Sequence, residues 1–161
     1  MKSLGNGNTE LVLKGLESVR SDWTALAKEF QIQLFKLLFA GKDSADYVKA
    51  VLADLRSGKL DHLLLYKKRI RQPLDSYTKT TPPQIKAARA ANKVYGRDVY
   101  RKGSRIAYVI GSTGPVVAEL NDQRLDYEHY VEKQLFPIYE SIIVNKTNAG
   151  ISLFTQQMTL I

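Results

Sequence analysis

From Trp23 onward apolar residues recur at spacings of three and four. Trp23, Leu26, Ala27, Phe30, Leu34, Leu37 and Leu38 fall on one face, and Ile32, Phe35 and Phe39 widen it. That period predicts a helix beginning near Asp22, capped by Ser21 and ended by Gly41. So broad a stripe predicts more than one packing neighbour. Tyr47, Val48, Val51, Leu52 and Leu55 predict a second helix, capped by Asp43 or Ser44 and stopped by Gly58. The short Gly-Lys-Asp link predicts that the two pack roughly antiparallel. Ahead of them, residues 10–14 alternate weakly, as a short strand with Leu11 and Leu13 on one face and Gly15 breaking it.

Residues 63–67 read as an extended or short strand segment. Pro73 suits the first turn of a short helix reaching Tyr77. Thr81, Pro82 and Pro83 open a helix over residues 84–93 that Gly96 ends, and Ala87, Ala88, Ala90 and Ala91 let it lie close to a partner. Residues 105–110, β-branched and aromatic between Gly103 and Gly111, predict a strand. Residues 111–115 form a turn, and residues 116–119 return as its partner. Asp126 caps a helix carrying Tyr127, Tyr130, Val131 and Leu135. Pro137 marks a break or a new first turn before Ile138, Tyr139, Ile142 and Ile143. Residues 145–150 are loop-like, and the tail is apolar again. The fold class is therefore mainly α with a small β-sheet (α+β). Residues 1–9 read as a flexible leader, residues 10–150 as the folded domain and residues 151–161 as a tail.

The 161 residues, 44% of them hydrophobic, can fill a real core. No cysteine is present, so disulfides and thiolate metal sites are excluded, a composition that suits a reducing compartment. His62 and His129 stand far apart, so no metal site is expected. The apolar runs are too short to span a membrane, and the first residues lack a signal-peptide core.

Charge changes the picture more. Between Tyr66 and Arg105 stand twelve Lys or Arg against Asp75 and Asp98, about +10 in a chain whose total is +8. Tyr66, Tyr77, Tyr95 and Tyr100 are interleaved. A cationic stretch with aromatics attracts a polyanion by releasing its counterions, which points to nucleic acid. Lys86, Arg89 and Lys93 share one predicted helix face. Like charges so placed destabilise an isolated helix by a few tenths of a kcal/mol each, a cost that a bound anion removes.

Several ordered stretches resemble the family B DNA polymerases: GLESVRSDWTALAKEF (residues 15–30), YKKRIRQPLDSY (66–77), PPQIKAARAA (82–91), GSRIAYVI (103–110) and LDYEHYVEKQLFPI (125–138). They follow the order of the family's thumb, nearest to the bacterial polymerase II branch, over about residues 10–143. The resemblance implies partners: primer–template DNA, and the palm, fingers and exonuclease portion of a polymerase, on the same or a separate chain. The family's palm holds two metal ions with carboxylates in Asp-x-x-Ser-Leu-Tyr-Pro and Asp-Thr-Asp contexts, and neither motif is present here. Two-metal nucleotidyl transfer needs those converging carboxylates. The expected cofactor is therefore none in this chain, with Mg²⁺ only in the palm, and no catalytic residue. Asp122 and Asp126 read as a turn and a helix cap. Arg20 pairs with Asp22 or with a palm carboxylate.

The resemblance further implies duplex contacts, mainly to phosphates, at Lys67, Lys68, Arg69, Arg71, Tyr77 and Lys79, with Arg105 and Tyr108 as a second group. Lys86 and Arg89 join them on helix geometry. Tyr66 has the alternative of a core residue with its hydroxyl at the edge. Gln157, Met158, Leu160 and Ile161 resemble the peptide with which bacterial polymerases hold a sliding clamp; the alternative is that Leu160 and Ile161 pack on the helices. Trp23, Phe35, Phe39, Leu11 and Leu13 are generous for so small a lobe, and some of them are expected to be covered by the rest of a polymerase. The implied setting is the bacterial or phage-like cytoplasm, at the nucleoid. A stand-alone nucleic-acid-binding protein that reuses the thumb fold stays open beside the polymerase module. An enzyme with an unrecognised site is disfavoured, because no phosphate loop or nucleophile cluster is present.

Overall fold

A computed structural model describes residues 23–144. The expected strand at residues 10–14, the leader, Arg20 and the tail peptide lie outside the described residues. The chain divides into two compact units, one holding residues 23–63 and 127–144 and the other Leu64–Asp126. The elements are mainly helical with one small sheet, as the hydrophobic periods predict. Among the described residues no helix is long and apolar enough to cross a membrane.

In the first unit, helix α1 (Ala25–Phe39) starts at Thr24, whose hydroxyl accepts the Ala27 N–H. Thr24 also donates its own N–H and its hydroxyl to buried Gln134, each at 2.9 Å. One threonine thus caps a helix and ties it to a segment 110 residues away. Helix α2 (Ala45–Arg56) follows; Asp43 accepts the Ala45 N–H, while Ser44 occupies the cap position without a side-chain bond.

The last helical run alternates α turns, Tyr127–Tyr130 and Phe136–Tyr139, with π-helical stretches, Val131–Leu135 and Glu140–Val144. Pro137 has no N–H to donate and its ring crowds the preceding turn, so a widened turn ahead of it keeps the run continuous. Phe30, Leu34, Leu52, Leu55, Tyr130, Leu135 and Tyr139 are fully buried in this unit. Phe30 also stacks on Tyr47 at 5.9 Å. Arg56 grips Glu128 with two bonds of 2.7 and 2.8 Å, which holds the Glu128 carboxyl below its usual range. Trp23 and Phe35 are core residues here, since α1 and its packing partners cover them; Phe39 alone of those three stays exposed, at 52%.

The second unit is built on an antiparallel sheet in the order β1 (Tyr66–Arg69), β2 (Arg105–Gly111), β3 (Gly114–Val117). β3 begins two residues before its expected start and includes Pro115; an edge strand tolerates proline because its outward N–H has no ladder partner to lose. Gly111 ends β2 where a Cβ would stand 2.6 Å from the Gln123 side chain. Gln123 in turn accepts from Ser112 and Thr113 and closes the hairpin. Helix α3 (Pro83–Tyr95) packs on β2 and β3 through small buried residues, Ala87, Ala88 and Ala91. It ends at Gly96, whose φ of +71° suits glycine. Pro73 precedes a single 3-10 turn, Leu74–Ser76.

Candidate nucleic-acid interface

The second unit, Leu64–Asp126, carries thirteen Lys and Arg against five Asp and Glu; the rest of the chain carries eleven against eleven. The whole net charge of +8 therefore sits on this unit.

Strand alternation sorts the basic residues. Tyr66 pairs with Tyr108 and Lys68 with Ile106 on one face; Lys67 pairs with Ala107 and Arg69 with Arg105 on the other. The first face turns inward at Tyr66 and Tyr108, whose rings stack at 5.2 Å and are both buried, while Lys68 stays half-buried and reaches the groove edge. Lys67, Arg69 and Arg105 are exposed on the second. Lys67, Lys68, Arg69, Arg105, Ile106 and Ala107 line a groove of about 360 Å³. No carboxylate among the described residues pairs with any of the four cations. Cations on an edge strand also discourage pairing with another sheet. That role would not require two arginines in register, an arrangement that is destabilising.

Tyr108 departs from expectation. At 3% exposure it supports the sheet from inside and presents no surface to a ligand. Tyr66 is likewise a core residue. Arg71 is exposed just beyond β1, and Lys79 and Lys86 are exposed elsewhere on the unit. Arg89 does not share an open face with Lys86 and Lys93. Its guanidinium donates to the carbonyl oxygens of Leu74 at 2.6 Å and Tyr77 at 3.0 Å, so it fixes the loop after β1 to α3.

Tyr77 and Arg89 instead line a second cavity of about 770 Å³ with Arg101, Lys102, Asp75 and Asp98. Arg101 and Lys102 belong to the basic stretch but carry no motif of their own. Their place in the Gly103 turn, immediately before a strand, is the signal that marks them.

The loop bearing them is fastened at its start. Asn92 on α3 exchanges two bonds with the Tyr100 backbone, at 2.8 and 2.9 Å. The Tyr100 hydroxyl donates to Glu119 at 2.7 Å, and the Tyr95 hydroxyl donates to the other oxygen of the same carboxylate. These two bonds hold the Glu119 carboxyl below its usual range. Partial burial, then the Glu119 bond, push the Tyr100 phenol up to about 12. Among the described residues no three His, Cys, Asp or Glu side chains gather as a metal site would require.

Comparison with known proteins shows the family of the chain. The family model for DNA polymerase family B matches residues 1–146. DNA polymerase II of Escherichia coli K12 is 39% identical over 154 residues, covering 93% of this chain and 20% of that protein. DNA polymerase 2 of Aeropyrum pernix is 31% identical over 139 residues, covering 76% of this chain and 16% of that protein. The solved family B DNA polymerase of the hyperthermophilic archaeon Pyrobaculum calidifontis superposes with a TM-score of 0.64 at 29% identity, over 76% of this chain and 18% of that one. The chain thus spans about a fifth of the length of these relatives. Matched in sequence over nearly all its length and in fold over three quarters of it, the chain belongs to DNA polymerase family B.

Proposed function

We propose that this chain is the thumb of a family B DNA polymerase, gripping primer–template duplex and supporting processive synthesis without supplying catalytic groups itself. The observation that carries the proposal is the outer face of the sheet. Lys67, Arg69 and Arg105 stand exposed there without carboxylate partners among the described residues. Cations so placed bind phosphates, which position a duplex without reading its sequence. A polymerase must be indifferent to sequence, so the chemistry suits the task. Metal-assisted transfer, with Mg²⁺, belongs to the palm in this proposal. Gln157, Met158, Leu160 and Ile161, outside the described residues, supply a clamp-binding peptide. Deleting them is expected to abolish pull-down by a sliding clamp while leaving the melting temperature unchanged.

Reconstitution tests the proposal. An exonuclease–palm–fingers fragment lacking this region is expected to extend primers distributively, and adding the chain to lengthen the products made per binding event. Unchanged product length with a folded chain present would count against a thumb role.

A further inference from the structure

We infer that the cavity between the loop after β1 and the turn before β2 holds an unpaired nucleotide of DNA whose duplex lies on the sheet. The inference rests on the duplex proposal above and adds a second site of different chemistry.

The two sites differ in charge balance. The sheet groove is lined by four cations and no acid. The second cavity sets Arg89, Arg101 and Lys102 against Asp75 and Asp98. Two carboxylates in a continuous phosphate track would repel the strand. A single nucleotide presents one phosphate on one side and base N–H donors on the other, which cations and carboxylates can meet separately. Arg101 and Lys102, both exposed, suit the phosphate. Asp75 and Asp98 suit base amino groups. Tyr77, half-buried in the wall, offers a ring for stacking, which is sequence-tolerant because every base has a π-face. The volume of about 770 Å³ lies within the range of small-molecule sites.

The cavity is also preformed. Arg89 bonds two carbonyls of its wall, and backbone bonds from Ile70 to Ser104 and from Gly103 to Ile70 carry the ladder past Arg69 and Arg105. The wall therefore begins where the sheet groove stops. Pro73 follows Arg69 by four residues, at most roughly 14 Å of chain. At about 3.4 Å per nucleotide along one strand, a strand leaving the groove reaches the cavity within roughly four steps.

Anisotropy with labelled DNA tests the inference. Three probes are compared: a blunt duplex, the same duplex with a short unpaired tail, and that duplex with an abasic tail of equal length. The chain is expected to prefer the normal tail over the blunt and abasic probes by roughly fivefold or more. Tyr77→Ala and the double variant Arg101→Ala, Lys102→Ala are expected to erase that preference, and Tyr77→Phe to keep it. Equal affinity for normal and abasic tails overturns the inference, because phosphates alone then explain binding. So does a preference that survives the double variant. Should Tyr77→Ala fail to fold, the abasic probe and the double variant decide alone. The duplex proposal is read separately, from blunt-duplex affinity when Lys67, Arg69 and Arg105 are replaced.

Discussion

Arg69 and Arg105 oppose one another in register, with no carboxylate beside either among the described residues. Like charges directly opposite one another destabilise a sheet, and a phosphate bound as proposed would relieve that cost. Arg105→Thr, which keeps strand propensity, is therefore expected to stabilise the free chain by up to about 1 kcal/mol and to weaken duplex binding. Denaturant midpoints and anisotropy measured together check this; a lower midpoint would remove the repulsion argument. Arg89 is the opposite case. Its charge is spent on the Leu74 and Tyr77 carbonyls, so Arg89→Ala is expected to cost about 1–3 kcal/mol. Arg89→Lys keeps the charge but lacks the planar fork that spans two carbonyls. It is expected to melt low as well, and full rescue by Lys would show that charge alone matters.

Among the elements, one carboxylate joins the Asn92 bonds in tying α3 to the loop after it. Glu119 has its pKa lowered by the Tyr95 and Tyr100 hydroxyls. A lowered folded pKa means stability that is present above the ordinary Glu range and is lost as pH falls through the folded value. The tyrosines give the other arm. Tyr100, raised to about 12, contributes below the ordinary tyrosine pKa and loses that contribution as pH rises through about 12. Glu119→Gln is expected to flatten the acid limb of a melting-temperature profile, and an unchanged acid limb would exclude Glu119 as its source.

The elements also show which signals are local. The periods of α1 and α2 are legible because each buries one stripe, and α3 is legible from its proline start and its Gly96 stop. Thr24 as the cap of α1 is not, because Gln134, 110 residues on, holds it in place. β1 begins at Tyr66 instead of Leu63 because pairing with β2 sets its bounds. In the candidate site, the alternation in GSRIAYVI places Arg105 outward and Tyr108 inward once the inner face is known. The redirection of Arg89 has no sequence signal, since carbonyl acceptors are invisible in a string of side chains.

At the scale of the molecule, the entire net charge of +8 rests on one unit while the other residues balance to zero. Charge gathered on one unit concentrates the attraction for a polyanion there, which is what the proposed duplex grip requires. Membership of DNA polymerase family B says which polyanion to try first. The most direct test is duplex affinity as a function of salt, for the chain and for the variant Lys67→Ala, Arg69→Ala, Arg105→Ala. The chain is expected to lose affinity steeply and log-linearly with salt, and the variant to bind all sequences more weakly with a slope shallower by roughly three. Affinity that does not change with ionic strength, or a variant that retains the full slope, would contradict the phosphate grip.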